Sequence, residues 1–157
     1  MKTFKKVIEE FTKLNKTIST MESCTGGGVV NALTNIEGAS EVIKFSAVTY
    51  SNEYKIKMRV SKDIIDKYSV YSFETAKEMS KKISEFTNSN IGIGITGKLN
   101  RVDVHNPYGE DNVVFVSIYN KDKDEYNTFK VEAKASSREL NKELVIDRII
   151  EELEKVI

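Results

Sequence analysis

Apolar residues recur along the start of the chain at helical spacing: Phe4, Val7, Ile8, Phe11 and Leu14, with lysines and glutamates between them. That period predicts an amphipathic helix over 2–14. A short β-branched stretch follows, Thr17, Ile18 and Thr20, which suits a strand running into three glycines. Val29, Val30, Leu33 and Ile36 then predict a helix from about Thr25 that ends near Gly38. Residues 42–50, VIKFSAVTY, read as a second strand, and SNEYKIK as a tight turn or short helical segment. Ser61 and Ser72 are candidate N-caps. Ala76, Met79, Ile83 and Phe86 mark a helix over 73–87.

Residues 90–96 form an apolar strand, and Val113–Tyr119 and Tyr126–Val131 form two more, joined by the charged turn KDKDE. Leu140, Leu144, Ile149, Ile150, Leu153 and Val156 place a long helix at the C-terminus. The order α-β-α-β-α-β-β-β-α interleaves helices with strands and then adds a hairpin. It predicts an α/β single domain of three layers, α/β/α, around a mixed sheet of about five strands. The stretch from Lys98 to Asn112 is long for a connection, so it reads as a mobile or functional loop.

Composition narrows the function classes. A length of 157 residues suits one domain with a sizeable core. Lys+Arg and Asp+Glu are 24 each, so no net field draws the chain to nucleic acid or an anionic membrane. One cysteine and one histidine exclude a disulfide framework, a Cys-rich zinc site and a paired-histidine metal motif. The charged N-terminus has no apolar signal core, and no stretch approaches membrane-spanning length, which makes the cytoplasm the expected location.

Two motifs tempt and fail. Gly92-Ile93-Gly94-Ile95-Thr96-Gly97-Lys98 fits phosphate-binding glycine patterns by letter, but Leu99 follows where Ser or Thr should hold magnesium, and no helix follows. Gly92 and Gly94 alternate with isoleucine as strand residues do, and allow a helix to pack closely on the sheet. His105, in the loop VDVHNPYGED, reads as solvated rather than as a base. Cys24 reads as a small apolar residue facing the core if Ser23 faces a cleft; a thiol nucleophile served by His105 is the less favoured alternative.

The stretch MESCTGGGVV at 21–30 carries the chemistry. A strand that ends in Ser-Cys-Thr-Gly-Gly-Gly and opens a helix presents unpaired N–H groups at a positive helix terminus. A hydroxyl there has an oxyanion hole beside it. Its base would be a lysine with a depressed pKa, and Lys55, in Tyr50-Ser51-Asn52-Glu53-Tyr54-Lys55, is the candidate. The plainer reading is a capped helix and a surface lysine.

Resemblance adds weight to the first reading. ESCTGG at 22–27, GAS at 38–40 and VTYSNEYK at 48–55 resemble the CinA C-terminal domain family, the competence/damage-inducible group whose active members deamidate nicotinamide mononucleotide. Ser72, Ala76 and Met79 match its V-S-x-x-x-A-x-x-M helix, Ile95-Thr96-Gly97 its I-T-G strand end, and Arg138 its usual arginine. The resemblance covers nearly the whole chain and implies one domain over 1–157, without the molybdopterin-binding-like domain that many family members carry.

By position, the resemblance implies that Ser23 is the nucleophile and Lys55 its base, with Thr96 beside the reacting carbonyl. Glu22, Thr25, Gly26, Gly27, Tyr50, Asn52, Gly97 and Arg138 would bind the substrate, with N–H groups around Thr25, Gly26 and Gly27 stabilising the oxyanion. No metal or organic cofactor is implied. The expected partners are a small-molecule nucleotide and other copies of the chain in a homo-oligomer, with neither nucleic acid nor membrane. The chain departs from the family after I-T-G, where Lys98-Leu99-Asn100-Arg101 replaces I-A-G-P, and at Lys142, where a second arginine is usual. The K-P-V-G segment matches either Asn106-Pro107-Tyr108-Gly109 or Asp111-Asn112-Val113-Val114. Two classes therefore stand: an amidohydrolase working through Ser23 and Lys55, placed first, and a nucleotide-binding or regulatory relative with altered or lost activity.

Overall fold

The elements of the computed structural model, which describes residues 2–100, 111–134 and 137–156, follow the hydrophobic pattern closely. They are α1 (Lys5–Leu14), β1 (Ile18–Glu22), α2 (Gly28–Thr34), a 3-10 turn (Ala39–Glu41), β2 (Ile43–Val48), α3 (Asn52–Lys57), α4 (Lys62–Tyr68) and α5 (Phe73–Thr87). After these come β3 (Ile91–Gly97), β4 (Val113–Asn120), β5 (Glu125–Glu132) and α6 (Arg138–Lys155). The sheet has the order β2-β1-β3-β4-β5; β1 runs parallel to both neighbours, while β3–β4 and β4–β5 are antiparallel. The mixed five-stranded sheet is the one expected.

Helices cover both faces. On one, Phe4, Val7, Ile8 and Phe11 of α1, Val29 and Leu33 of α2 and Val145, Ile149, Ile150 and Leu153 of α6 pack against Ile91, Ile93 and Ile95 of β3 and residues of β4 and β5. On the other, Met21 meets Val60, Ile65, Val70 and the α5 residues Met79 and Ile83. Burial on this scale, at ~25 cal/mol per Å² of apolar surface, is what holds the layers together. α5 lies so close to β3 that a Cβ at Gly92 would sit 2.0 Å from the Ser80 carbonyl oxygen, and one at Gly94 2.3 Å from that of Ala76. These glycines serve packing, as their alternation with isoleucine implies.

Ser61 caps α4 by accepting the Ile64 N–H at 3.4 Å, and Ser72 caps α5 by accepting that of Thr75 at 3.1 Å. Two expectations need correction. The helix expected from Thr25 begins at Gly28, because Gly26 (φ 59°) and Gly27 (φ 93°) adopt left-handed conformations that no right-handed helix accommodates. The seven-residue α4 was marked in the sequence only by its N-cap Ser61 and not bounded as a helix, since its period is too short to stand out from the flanking loops. Among the described residues no helix is long and apolar enough to cross a membrane.

Candidate active site

β1 and β2 are adjacent parallel strands whose chains leave on opposite faces of the sheet: α2 packs on one side, and the segment leading to α5 on the other. Such a divergence opens a crevice beyond the carboxyl ends of the strands, where α/β folds bind ligands. Ser23 follows the last residue of β1 there. Its N–H donates to the Ile95 carbonyl at 3.0 Å, and its own carbonyl accepts from the Gly26 N–H at 2.9 Å. Lys55, on α3 just past the end of β2, reaches into the same crevice.

The Lys55 Nζ lies 3.0 Å from Ser23 Oγ and 2.7 Å from the Thr49 carbonyl oxygen. Lys55 is 1% exposed and Ser23 8% exposed. The alternative of a surface lysine is therefore excluded.

The turn after β1 sends Cys24 to the opposite side from Ser23. Cys24 turns into the core with α1, α2 and α6, and burial pushes its thiol up to about 12, against a smaller opposing pull from Lys55. A thiol that holds its proton so firmly is no nucleophile at neutral pH. His105, the base in that alternative, lies outside the described residues, as do residues 101–110 generally.

The glycine turn differs from its expected form. The N–H groups of Val29 and Val30, in the first turn of α2, are not open to a ligand: both donate to the Glu22 carboxylate at 2.9 Å. The Gly26 N–H is likewise engaged, by Ser23, and that of Gly28 by the Thr25 carbonyl. Among the described residues, the N–H groups of Thr25 and Gly27 form no hydrogen bond and that of Cys24 meets only its own sulfur, and these are the donors the turn leaves over.

The other expected site residues are distributed as follows. Glu22 is fully buried and also accepts from the hydroxyls of Thr20 at 3.0 Å and Thr25 at 2.6 Å. Thr96 is one step beyond the Glu22–Ile95 pairing, and its hydroxyl donates to the Val70 carbonyl at 2.9 Å. A Cβ at Gly97 would sit 2.5 Å from the Val113 carbonyl oxygen, so β4 alone accounts for that glycine. Exposed Tyr50 accepts a 3.2 Å hydrogen bond from Arg138 Nη2. Asn52 opens α3, whose N-cap is Ser51.

Arg138 Nε is buried with no hydrogen-bond partner among the described residues. One turn along α6, the Lys142 Nζ lies 3.6 Å from where a side chain on Gly26 would begin. Lys142 thus lies at the glycine turn, and Arg138, one helical turn earlier, lies against Tyr50. Their i,i+4 spacing is a signal visible in the sequence; the Thr49 carbonyl that holds Lys55 has none, because a backbone oxygen is the same in every residue. Among the described residues no three His, Cys, Asp or Glu side chains gather as a metal site would require.

Known proteins resemble this chain in sequence and in fold. A competence-damage inducible protein of Clostridium kluyveri is 43% identical over 106 residues, 67% of this chain and 26% of that protein. One from Clostridium novyi is 48% identical over 84 residues, 53% of this chain and 20% of its own length. The chain therefore matches about a quarter of the length of the first relative and a fifth of the second. The structure of a competence/damage inducible protein from Agrobacterium tumefaciens superposes with a TM-score of 0.86 at 25% identity, covering 96% of this chain and 90% of that one. A CinA superfamily protein from Escherichia coli gives 0.85 at 23% identity, covering 98% and 87%, a likeness of fold. The family model for the CinA C-terminal domain matches residues 1–157, and the chain belongs to that family.

Proposed function

We propose that this protein hydrolyses the carboxamide of a pyridine nucleotide, converting nicotinamide mononucleotide to nicotinic acid mononucleotide and ammonia. The observation that carries the reading is the 3.0 Å approach of the buried Lys55 amine to Ser23 Oγ. That distance lies within the range required of a nucleophile and its general base. In this reading Ser23 Oγ attacks the carboxamide carbon while its proton passes to Lys55. The negative oxygen meets the unengaged N–H groups of the 24–27 turn.

The Lys55 ammonium then protonates the departing nitrogen, ammonia leaves, and an ester to Ser23 remains. Lys55 next draws a proton from water, which attacks the ester carbon, and passes it to the departing Ser23 Oγ as the acid is released. Thr96, its hydroxyl hydrogen held by Val70, offers oxygen lone pairs suited to the NH2 of the carboxamide. Arg138 and Lys142 supply cations where a 5′-phosphate would be held.

The test is ammonia release from nicotinamide mononucleotide. Ser23→Ala and Lys55→Ala should each lower kcat by about three orders of magnitude or more. Native-level turnover in either variant would refute the dyad. A second reading, a nucleotide-binding relative without turnover, draws on the segment after β3: Lys98 and Leu99 are buried there, and Asn100 bonds to Asn112 and Asn141, where the family carries a glycine/proline loop. No ammonia at high protein concentration, with the nucleotide still raising the melting temperature, would favour it. The expected homo-oligomer belongs to the same proposal and is checked by light scattering.

A further inference from the structure

The Glu22 carboxylate occupies the place where the sequence suggests a ligand anion. Its four donors come from both sides of Ser23: the Thr20 hydroxyl two residues before Glu22, and the Thr25 hydroxyl and the N–H groups of Val29 and Val30 after it. Oε1 accepts from Thr25 and Val29, and Oε2 from Thr20 and Val30. A carboxylate removed from water needs such saturation, and a short helix N-terminus is a favourable place to find it. The left-handed Gly26 and Gly27 provide the reversal that carries the first turn of α2 back over Glu22.

The result is a closed loop with Ser23 inside it. The backbone of Ser23 is pinned at both ends, to Ile95 and to Gly26. Its side chain, opposite in sense to that of Glu22, meets Lys55. A carboxylate serving only as a helix cap would have no need of the two threonine hydroxyls on the strand and turn that flank the nucleophile.

We infer that Glu22 is a positioning residue: its carboxylate clamps the 20–30 segment through Thr20, Thr25, Val29 and Val30, and so keeps Ser23 Oγ within reach of Lys55. The inference rests on the reading of Ser23 as a nucleophile. It also removes the α2 terminus from the set of groups that recognise substrate.

An alkyl fluorophosphonate tests it without requiring turnover. Ser23 Oγ bonds to phosphorus as the P–F bond breaks, fluoride leaves, and the hydroxyl proton passes to Lys55. Modification of Ser23 is followed by intact mass over a series of probe concentrations. The proteins compared are native, Glu22→Gln, Thr25→Val, Thr25→Ser and Lys55→Ala. Glu22→Gln and Thr25→Val should lower the limiting rate at least about tenfold, since misplacement of a reacting group by about 1 Å costs up to about a hundredfold. The half-saturating concentration should stay within about twofold, and Thr25→Ser should restore the native rate.

A folded Glu22→Gln or Thr25→Val protein reacting at the native rate overturns the inference. So does a change confined to half-saturation, or a Thr25→Ser protein as slow as Thr25→Val. If Glu22→Gln does not fold, Thr25→Val decides alone. If native and Lys55→Ala proteins both stay unmodified, the nucleophile reading falls and takes this inference with it; native modification insensitive to Glu22 and Thr25 removes only the inference.

Discussion

Ser23 and Cys24 are covalent neighbours with opposite fates. The turn that follows β1 directs one toward Lys55 and the other into the apolar layer of α1, α2 and α6. Burial holds the Cys24 thiol at about 12, against 9.0 for an ordinary thiol on the same scale. The folded form keeps a proton that the unfolded form gives up, so this contribution to stability is whole below pH 9 and is lost as pH climbs through about 12. Cys24→Ala should accordingly flatten the alkaline fall of the unfolding midpoint, read by urea titration from pH 8 to 11. In native protein at pH 8, iodoacetamide should leave Cys24 unmodified and activity intact; rapid inactivation with alkylation at Cys24 would restore the thiol alternative. At this scale the sequence named Ser23 and Lys55 as a candidate pair, and the fold places them 3.0 Å apart. The partners of Glu22 were not legible, because a carboxylate beside a serine reads equally well as a ligand contact or a strut until its donors are located.

At the scale of elements, α5 and β3 show how small residues set spacing. Gly92 and Gly94 of β3 lie against the Ser80 and Ala76 carbonyls, and the carbonyls are backbone that cannot swing aside. Gly94→Ala should therefore push α5 away and destabilise the fold by about 1–3 kcal/mol, measured as a lower urea midpoint with an unchanged slope. Because Thr96 is tied to Val70 just before α5, the same variant should also lower kcat. Long periodic elements such as α1, α5 and α6 were legible from spacing alone. The short α2 and α4 were not well bounded, since two turns of helix carry too few repeats, and the start of α2 depends on the conformations of Gly26 and Gly27.

For the whole molecule, the candidate site is assembled from four segments far apart in sequence: 22–30, 49–55, 96–98 and 138–142. A ligand that touches all of them ties folding to binding. Ser23→Ala, which keeps the pocket, should gain about 2.7 kcal/mol of stability at nicotinamide mononucleotide concentrations a hundredfold above Kd. Arg138→Ala and Lys142→Ala should reduce the thermal shift given by the mononucleotide while leaving that given by the riboside, which lacks the phosphate, unchanged. Equal losses with both ligands would show that these cations do not read the phosphate.

The order of residues by itself determined the alternation of helices and strands, the layering, and which segments carry a hydroxyl and an amine, because periodicity and residue type are local properties. It could not decide whether Ser23 and Lys55 meet, since 32 residues separate them and only the parallel pairing of β1 with β2 brings their ends together. Nor could it decide which amides of the glycine turn remain unengaged. Hydrogen-bond donors are claimed by whatever acceptor the folded chain brings near, and here that acceptor is Glu22 of the chain itself.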